Sequence, residues 1–174
     1  MMTSLRSTPS QTVGPFLHIG LIRDDGPFAV PAETPGAVWI RGRVLDGAGT
    51  AIDDAMVETW QVDPGSDESS CGRRGFARSD TRSGSYGIYT VVPGPVGEGE
   101  QAPHLDMSVF ARGLLHRVVT RVYFPEHAER HPSDPVLATV PPERRDTLIA
   151  VRDGDGYLFD VRLQGDRETV FFDV

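Results

Sequence analysis

Apolar and polar residues alternate one by one through several short stretches of this chain, and each such stretch predicts a strand with a single buried face. In HLDMSVF, His104 to Phe110, the residues Leu105, Met107 and Val109 point one way while His104 and Asp106 share the other face. The same period runs through AVWIRGRVL from Ala37, AMVETWQV from Ala55, YGIYTVV from Tyr86 and HRVVTRVYF from His116. In the second of these, Met56, Glu58 and Trp60 fall on one face. The turn Asp46-Gly47-Ala48-Gly49 predicts that the first two stretches form a hairpin or its near relative. Ala111-Arg112-Gly113 returns HLDMSVF into HRVVTRVYF, Pro93-Gly94-Pro95 closes YGIYTVV, and Asp153-Gly154-Asp155-Gly156 announces a strand at 157–164 with another at 169–174. One helical turn is predicted at Pro142-Glu143-Arg144-Arg145, where proline suits the first helical position.

Seven or so short strands with almost no helix define an all-β fold, a β-sandwich. Residues 1–36 are punctuated by prolines at 9, 15, 27, 31 and 35 and sustain no period, so they read as an extended arm that must lie on something. Residues 37–174 form the sandwich domain. The stretch 64–85, rich in Gly, Ser, Arg and Asp, reads as a long loop without strands.

Composition narrows the function classes. At 174 residues the chain has the length of one domain, with 39% hydrophobic and 24% charged residues. Its net charge is -8, and all 17 basic residues are arginines. An acidic chain without a basic stripe excludes nucleic acid and anionic membrane surfaces as natural partners, but leaves room for a small anion held by a few arginines. The single Cys71 rules out an internal disulfide framework and has no evident base to activate it. The first residues show neither an apolar core nor a cleavage site, and no apolar run reaches membrane-spanning length, so a cytoplasmic location is expected.

Several motifs dissolve on inspection. Gly97-Glu98-Gly99-Glu100-Gln101-Ala102 carries the letters of a dinucleotide fingerprint, but Pro103 falls where the phosphate-facing helix should begin. The Asp153 turn lacks the spacing of a calcium loop. His127 and His131 stand four apart but between Pro125 and Pro132, which predicts solvated loop histidines. No nucleophile-elbow pattern is present. His104 and Asp106 are the strongest metal candidates, yet zinc or iron needs a third ligand that the neighbouring loops do not supply.

Taken together, SQTVGPFLHIGL near the start, GRVLDGAGTAIDDAMVETWQVD, YTVVPGPV, APHLDMSVFARGL and the tail FDVRLQGDRETVFFDV resemble the intradiol ring-cleaving dioxygenases. The likeness runs in order over nearly the whole chain, with 23–36 and 64–82 short and divergent. In catalytic members of that family two tyrosines and two histidines hold ferric iron, a hard ion suited to phenolate oxygen. This chain has no tyrosine between Trp60 and Tyr86, carries Val96 at the second tyrosine position, and keeps His104 but has Asp106 at the second histidine position. Gln101 stands where the catalytic chains carry an arginine.

The resemblance therefore implies an iron-free subunit, with no metal in this chain and Fe(III) held by a homologous beta subunit. It implies protocatechuate and O2 as substrates, and a higher-order alpha/beta oligomer. It also implies that Thr12, Gly14, Pro15 and Arg112 contribute to the partner's substrate pocket. Gly14 would allow close backbone approach, Pro15 would stiffen the arm, Thr12 would offer a hydroxyl, and Arg112 a planar fork for a carboxylate. Two other readings compete. The 42–60 hairpin is also similar to transthyretin-like and adhesin-type binding modules, which lack the arm, and His104 with Asp106 fits a self-sufficient metalloenzyme with a further ligand.

Overall fold

The computed structural model describes residues 7–62, 75–97 and 100–174. Among the described residues ten strands form two four-stranded sheets and one small pair. They are β1 (Ala37–Gly42), β2 (Val44–Leu45), β3 (Met56–Trp60), β4 (Ala77–Asp80), β5 (Tyr86–Val91), β6 (His104–Phe110), β7 (Val118–Tyr123), β8 (Val151–Asp153), β9 (Gly156–Leu158) and β10 (Val161–Arg162). The first sheet has the order β5-β1-β9-β8, the second β4-β3-β6-β7, and β10 pairs with β2.

The two sheets meet through the apolar alternation that marked them in the sequence. Ile40, Ile88 and Tyr157 from the first sheet pack into one core with Val57, Leu105, Met107, Val109 and Val122 from the second. This is the expected sandwich, its apolar strand faces turned inward between the sheets. Tyr86, buried at the seam, donates its hydroxyl to the carbonyl of Phe159 at 2.5 Å, and burial drives its pKa well above the ordinary phenol value. Among the described residues no helix is long and apolar enough to cross a membrane.

The hairpin expected between residues 37–45 and 55–62 is not formed. β1 pairs with β5 and β9, whereas β3 pairs with β4 and β6, so the turn at Asp46 joins strands of different sheets. The turn itself is as read, with the Asp46 carboxylate accepting from the amides of Ala48 and Thr50. The change of sheet happens at Gly42. A Cβ there would lie 1.8 Å from the Phe159 carbonyl oxygen, so only glycine lets the backbone pass. Beyond it, Arg43 binds Asp160 through both its amide and its guanidinium, and this junction also breaks the predicted 157–164 strand into β9 and β10.

Three further expectations change. The 64–85 loop contains β4, whose inward residues Ala77 and Ser79 are too small to register as an apolar period. Residues 169–174 make only an isolated bridge, Phe172 to Val119. The arm carries a helix, α1 (Phe16–Leu21), too short for a period to show. The turn at Pro142 does form, extended to Leu148 as a 3-10 helix, and Asp153 and Gly156 pair across a two-residue hairpin turn. Cys71 lies outside the described residues.

Candidate functional site

The polar face of β6 looks out from the second sheet into a groove of ≈ 830 Å³. Antiparallel pairing with β7 sets His104 opposite Tyr123 and Asp106 opposite Arg121, and pairing with β3 sets Trp60 opposite Asp106. The shared face of His104 and Asp106 is therefore real. Their neighbour across the sheet is a cation.

His104 is only 4% exposed. Its Nδ1 lies 2.8 Å from the Ala102 carbonyl, which can only accept, so that nitrogen carries the proton. Burial, then the nearby Arg121 guanidinium, push the imidazole pKa below its ordinary value and keep the ring neutral. Arg121 donates through Nε to Asp106 at 3.0 Å and through Nη1 to Gln101 at 2.8 Å. Where the family resemblance places an arginine at 101, this chain has an acceptor, and a guanidinium reaches it from β7.

These residues do not fit ferric iron. His104 and Asp106 are two ligands where four are needed, and a permanent cation is hydrogen-bonded to one of them. Among the described residues no three His, Cys, Asp or Glu side chains are grouped to hold a metal. Tyr123 stands beside His104, ring centroids 5.5 Å apart, but burial pushes its pKa up to about 12, so it is a neutral phenol. Val96, bridged to Gln101, lines the same groove.

Thr12 and Arg112 are brought together at the β6–β7 turn, at the opposite end of β6 from His104. The Thr12 hydroxyl accepts from the Gly113 amide at 2.7 Å, fastening the arm beside the β6–β7 turn, where Gly113 takes the left-handed conformation at φ 95°. Arg112 pairs through Nε with Asp54. Its Nη groups have no partner among the described residues, and 68% of its side chain is exposed. Pro15 stands immediately before α1, without a capping hydrogen bond. Gly14 has open space around it, so nothing within this chain demands glycine there.

The arm is held down over much of its length. His18 binds the Asp54 carbonyl through Nε2 at 2.5 Å, and Arg78 donates to the Leu21 carbonyl. Further on, Phe28 bridges to Tyr89 and packs 5.6 Å from Trp39. Phe16 and Ile19, in contrast, are 79% and 72% exposed.

Sequence reasoning missed Arg121, Asp54 and Asp134. Asp134, fully buried, caps α2 (Pro135–Ala138) by accepting from the Val136 and Leu137 amides and also accepts from the Ala102 amide. It thereby ties the segment leading into His104 to the loop beyond β7. The histidines at 127 and 131 are half-buried rather than solvated, on separate 3-10 turns, and His131 sits edge-on to Tyr123.

Solved structures that the fold matches include dioxygenases. The chain superposes on the dioxygenase domain of a dioxygenase carbohydrate-binding protein fusion from Streptomyces sp. SirexAA-E with a TM-score of 0.59 at 22% identity, covering 91% of this chain and 99% of that one. It matches an intradiol ring-cleavage dioxygenase from Tetranychus urticae with a TM-score of 0.57 at 14% identity, covering 78% and 84%. The fold is that of the intradiol dioxygenases. Sequence comparison is more specific. The chain is 41% identical to the protocatechuate 3,4-dioxygenase alpha chain of Burkholderia cepacia over 99% of its own length and 100% of that chain. It is 38% identical to the Pseudomonas putida alpha chain over 97% of each. The beta chain from Burkholderia cepacia is 30% identical over 74% of this chain and 64% of that one. No family model matches. The chain belongs to the family of protocatechuate 3,4-dioxygenase alpha chains.

Proposed function

We propose that this chain is the iron-free alpha subunit of a cytoplasmic protocatechuate 3,4-dioxygenase. It pairs with a homologous beta subunit that holds Fe(III), and the pairs assemble into a larger oligomer. Together they cleave protocatechuate with O2 between its hydroxyl-bearing carbons, giving 3-carboxy-cis,cis-muconate. The partner's iron supplies the activation of the ring toward O2; this chain binds and orients.

The observation that carries the reading is the Thr12 to Gly113 hydrogen bond, which sets the arm beside an exposed Arg112 whose Nη groups have no partner among the described residues. A carboxylate on the substrate accepts from that fork through charge-assisted hydrogen bonds. Gly14 and Pro15 form the adjoining wall, and the exposed Phe16 and Ile19 supply apolar surface for the partner. Asp54 holds Nε of Arg112 and so fixes which edge of the guanidinium is presented.

Loosening the arm tests this arrangement. Thr12→Val, nearly isosteric, removes the acceptor for the Gly113 amide. In the assembled pair KM for protocatechuate should rise about threefold to tenfold with kcat little changed, the scale of one lost hydrogen bond. An unaltered KM would remove the arm from the pocket.

A further inference from the structure

The peptide unit between Asp54 and Ala55 is held at both ends. Its amide donates to Oγ1 of Thr81 at 3.0 Å in buried surroundings, and its carbonyl accepts from Nε2 of His18, 36 residues earlier in the arm. Thr81 is itself fully buried and donates onward to the Ile52 carbonyl. A planar peptide fixed from two sides sets the direction in which the Asp54 side chain leaves the backbone, and that side chain ends on Nε of Arg112. Asp54 therefore couples the arm to Arg112, giving its carbonyl to one and its carboxylate to the other.

His18 is placed for the carbonyl. Its side chain is 10% exposed, and its Nδ1 is buried without a hydrogen-bond partner among the described residues. Asp80, 3.6 Å from Nδ1, is bound at the same carboxylate oxygen by Arg82. The arm stays docked without His18, because Thr12 binds the Gly113 amide on one side of it and Arg78 the Leu21 carbonyl on the other. An imidazole on a segment already fastened at both flanks acts chiefly on what it touches.

We propose that His18 is a positioning residue for Arg112, a role that rests on the functional reading above only in what Arg112 then binds. Through the Asp54 carbonyl it aims the Asp54 carboxylate, and so sets the edge of the guanidinium that meets the substrate carboxylate. With the His18 donor gone, the peptide keeps Thr81 alone, the carboxylate drifts from Nε, and the Nη groups lose their set direction. The cost falls on binding of substrates that carry a carboxylate and not on the rate of the bound complex.

The test is a double-mutant cycle in the assembled pair. His18→Phe keeps a ring but removes the donor, His18→Leu does so with a smaller side chain, and His18→Gln returns an N–H near the position of Nε2; each is combined with Arg112→Ala. KM for protocatechuate should rise about threefold to tenfold in the Phe and Leu variants, with kcat level and KM for catechol unmoved, and return to within about twofold of wild type in the Gln variant. In the Arg112→Ala background the same replacements should add nothing. An equal rise for catechol, an undiminished rise in the Arg112→Ala background, or no rise where Arg112→Ala alone gives one would overturn the proposal. A second readout needs no substrate. Phenylglyoxal, which condenses with guanidinium groups, should label Arg112 about threefold faster in the Phe and Leu pairs than in the wild-type and Gln pairs, read by peptide mass spectrometry. If Arg112→Ala leaves KM for protocatechuate unchanged, the functional reading falls and the labelling decides the role of His18: faster labelling upholds it, and equal rates overturn it.

Discussion

Replacing Asp134 with alanine should lower the stability of the chain by about 3 to 5 kcal/mol, because it strips the acceptor from three backbone amides at once. Two of them, at Ala102 and Leu137, are bonded in buried surroundings at 2.8 and 2.9 Å, and the third belongs to Val136. Each orphaned buried donor costs the desolvation it no longer recovers. The loss is a large share of the roughly 5 to 15 kcal/mol that holds a typical domain together. Asp134→Asn keeps one oxygen for the helix cap but turns the other end into a donor facing the Ala102 amide, so it should lose about half as much. Urea denaturation is the measurement: the midpoint should fall in the order wild type, Asn, Ala, with little change in slope. The consequence reaches the groove, since Ala102 also anchors the His104 ring through its carbonyl.

Arg112→Ala should raise KM for protocatechuate in the assembled pair by about tenfold to a hundredfold, the worth of one or two charge-assisted hydrogen bonds to a carboxylate. For catechol, which has no carboxylate, KM should hardly move, and that contrast separates a contact with substrate from general damage. Little stability should be lost, because the Arg112 to Asp54 pair is largely exposed on the arginine side. Asp54→Asn gives a second check. It keeps the arm's hydrogen bond from His18, which goes to the Asp54 backbone, but weakens the hold on Nε of Arg112 that sets which edge of the guanidinium is presented. KM for protocatechuate should then rise, by less than in Arg112→Ala. Steady-state oxygen uptake on both substrates reads all of these values.

How much of this was visible in the chain depends on what alternation encodes. Period-two patterning says which residues share a face, and it placed His104 with Asp106, and Leu105, Met107 and Val109 in the core. It does not say which strand lies alongside. Hence the chain from β1 to β3 reads as a hairpin, while the decisive fact is a backbone passage at Gly42 tight enough to exclude a Cβ. β4 escaped because Ala77 and Ser79 present too little apolar surface; it is recognised by its partner, where Arg78 meets Glu58 at 2.6 Å.

The same limit governs the site. That valine stands at 96 and aspartate at 106, where the family resemblance implies iron ligands, is legible in the sequence, whereas the cation beside Asp106 is not, because Arg121 meets it only through the register of β6 with β7. Arg121 does share the period-two face of Val119 and Tyr123 in HRVVTRVYF, so its face was legible but its neighbours were not. Asp134 gave a signal in Asp-Pro ahead of a short apolar run, a helix start. Its bond to Ala102, 32 residues away in sequence, had none.

The central claim is that this chain lacks its own catalytic iron and works by completing a site on another subunit. Protocatechuate-dependent oxygen uptake, measured on this chain alone, on the beta subunit alone and on the co-expressed pair, tests it most directly. The account predicts no uptake by this chain and full turnover only in the pair. Turnover by this chain alone, or a pair no more active than its beta subunit, would contradict it.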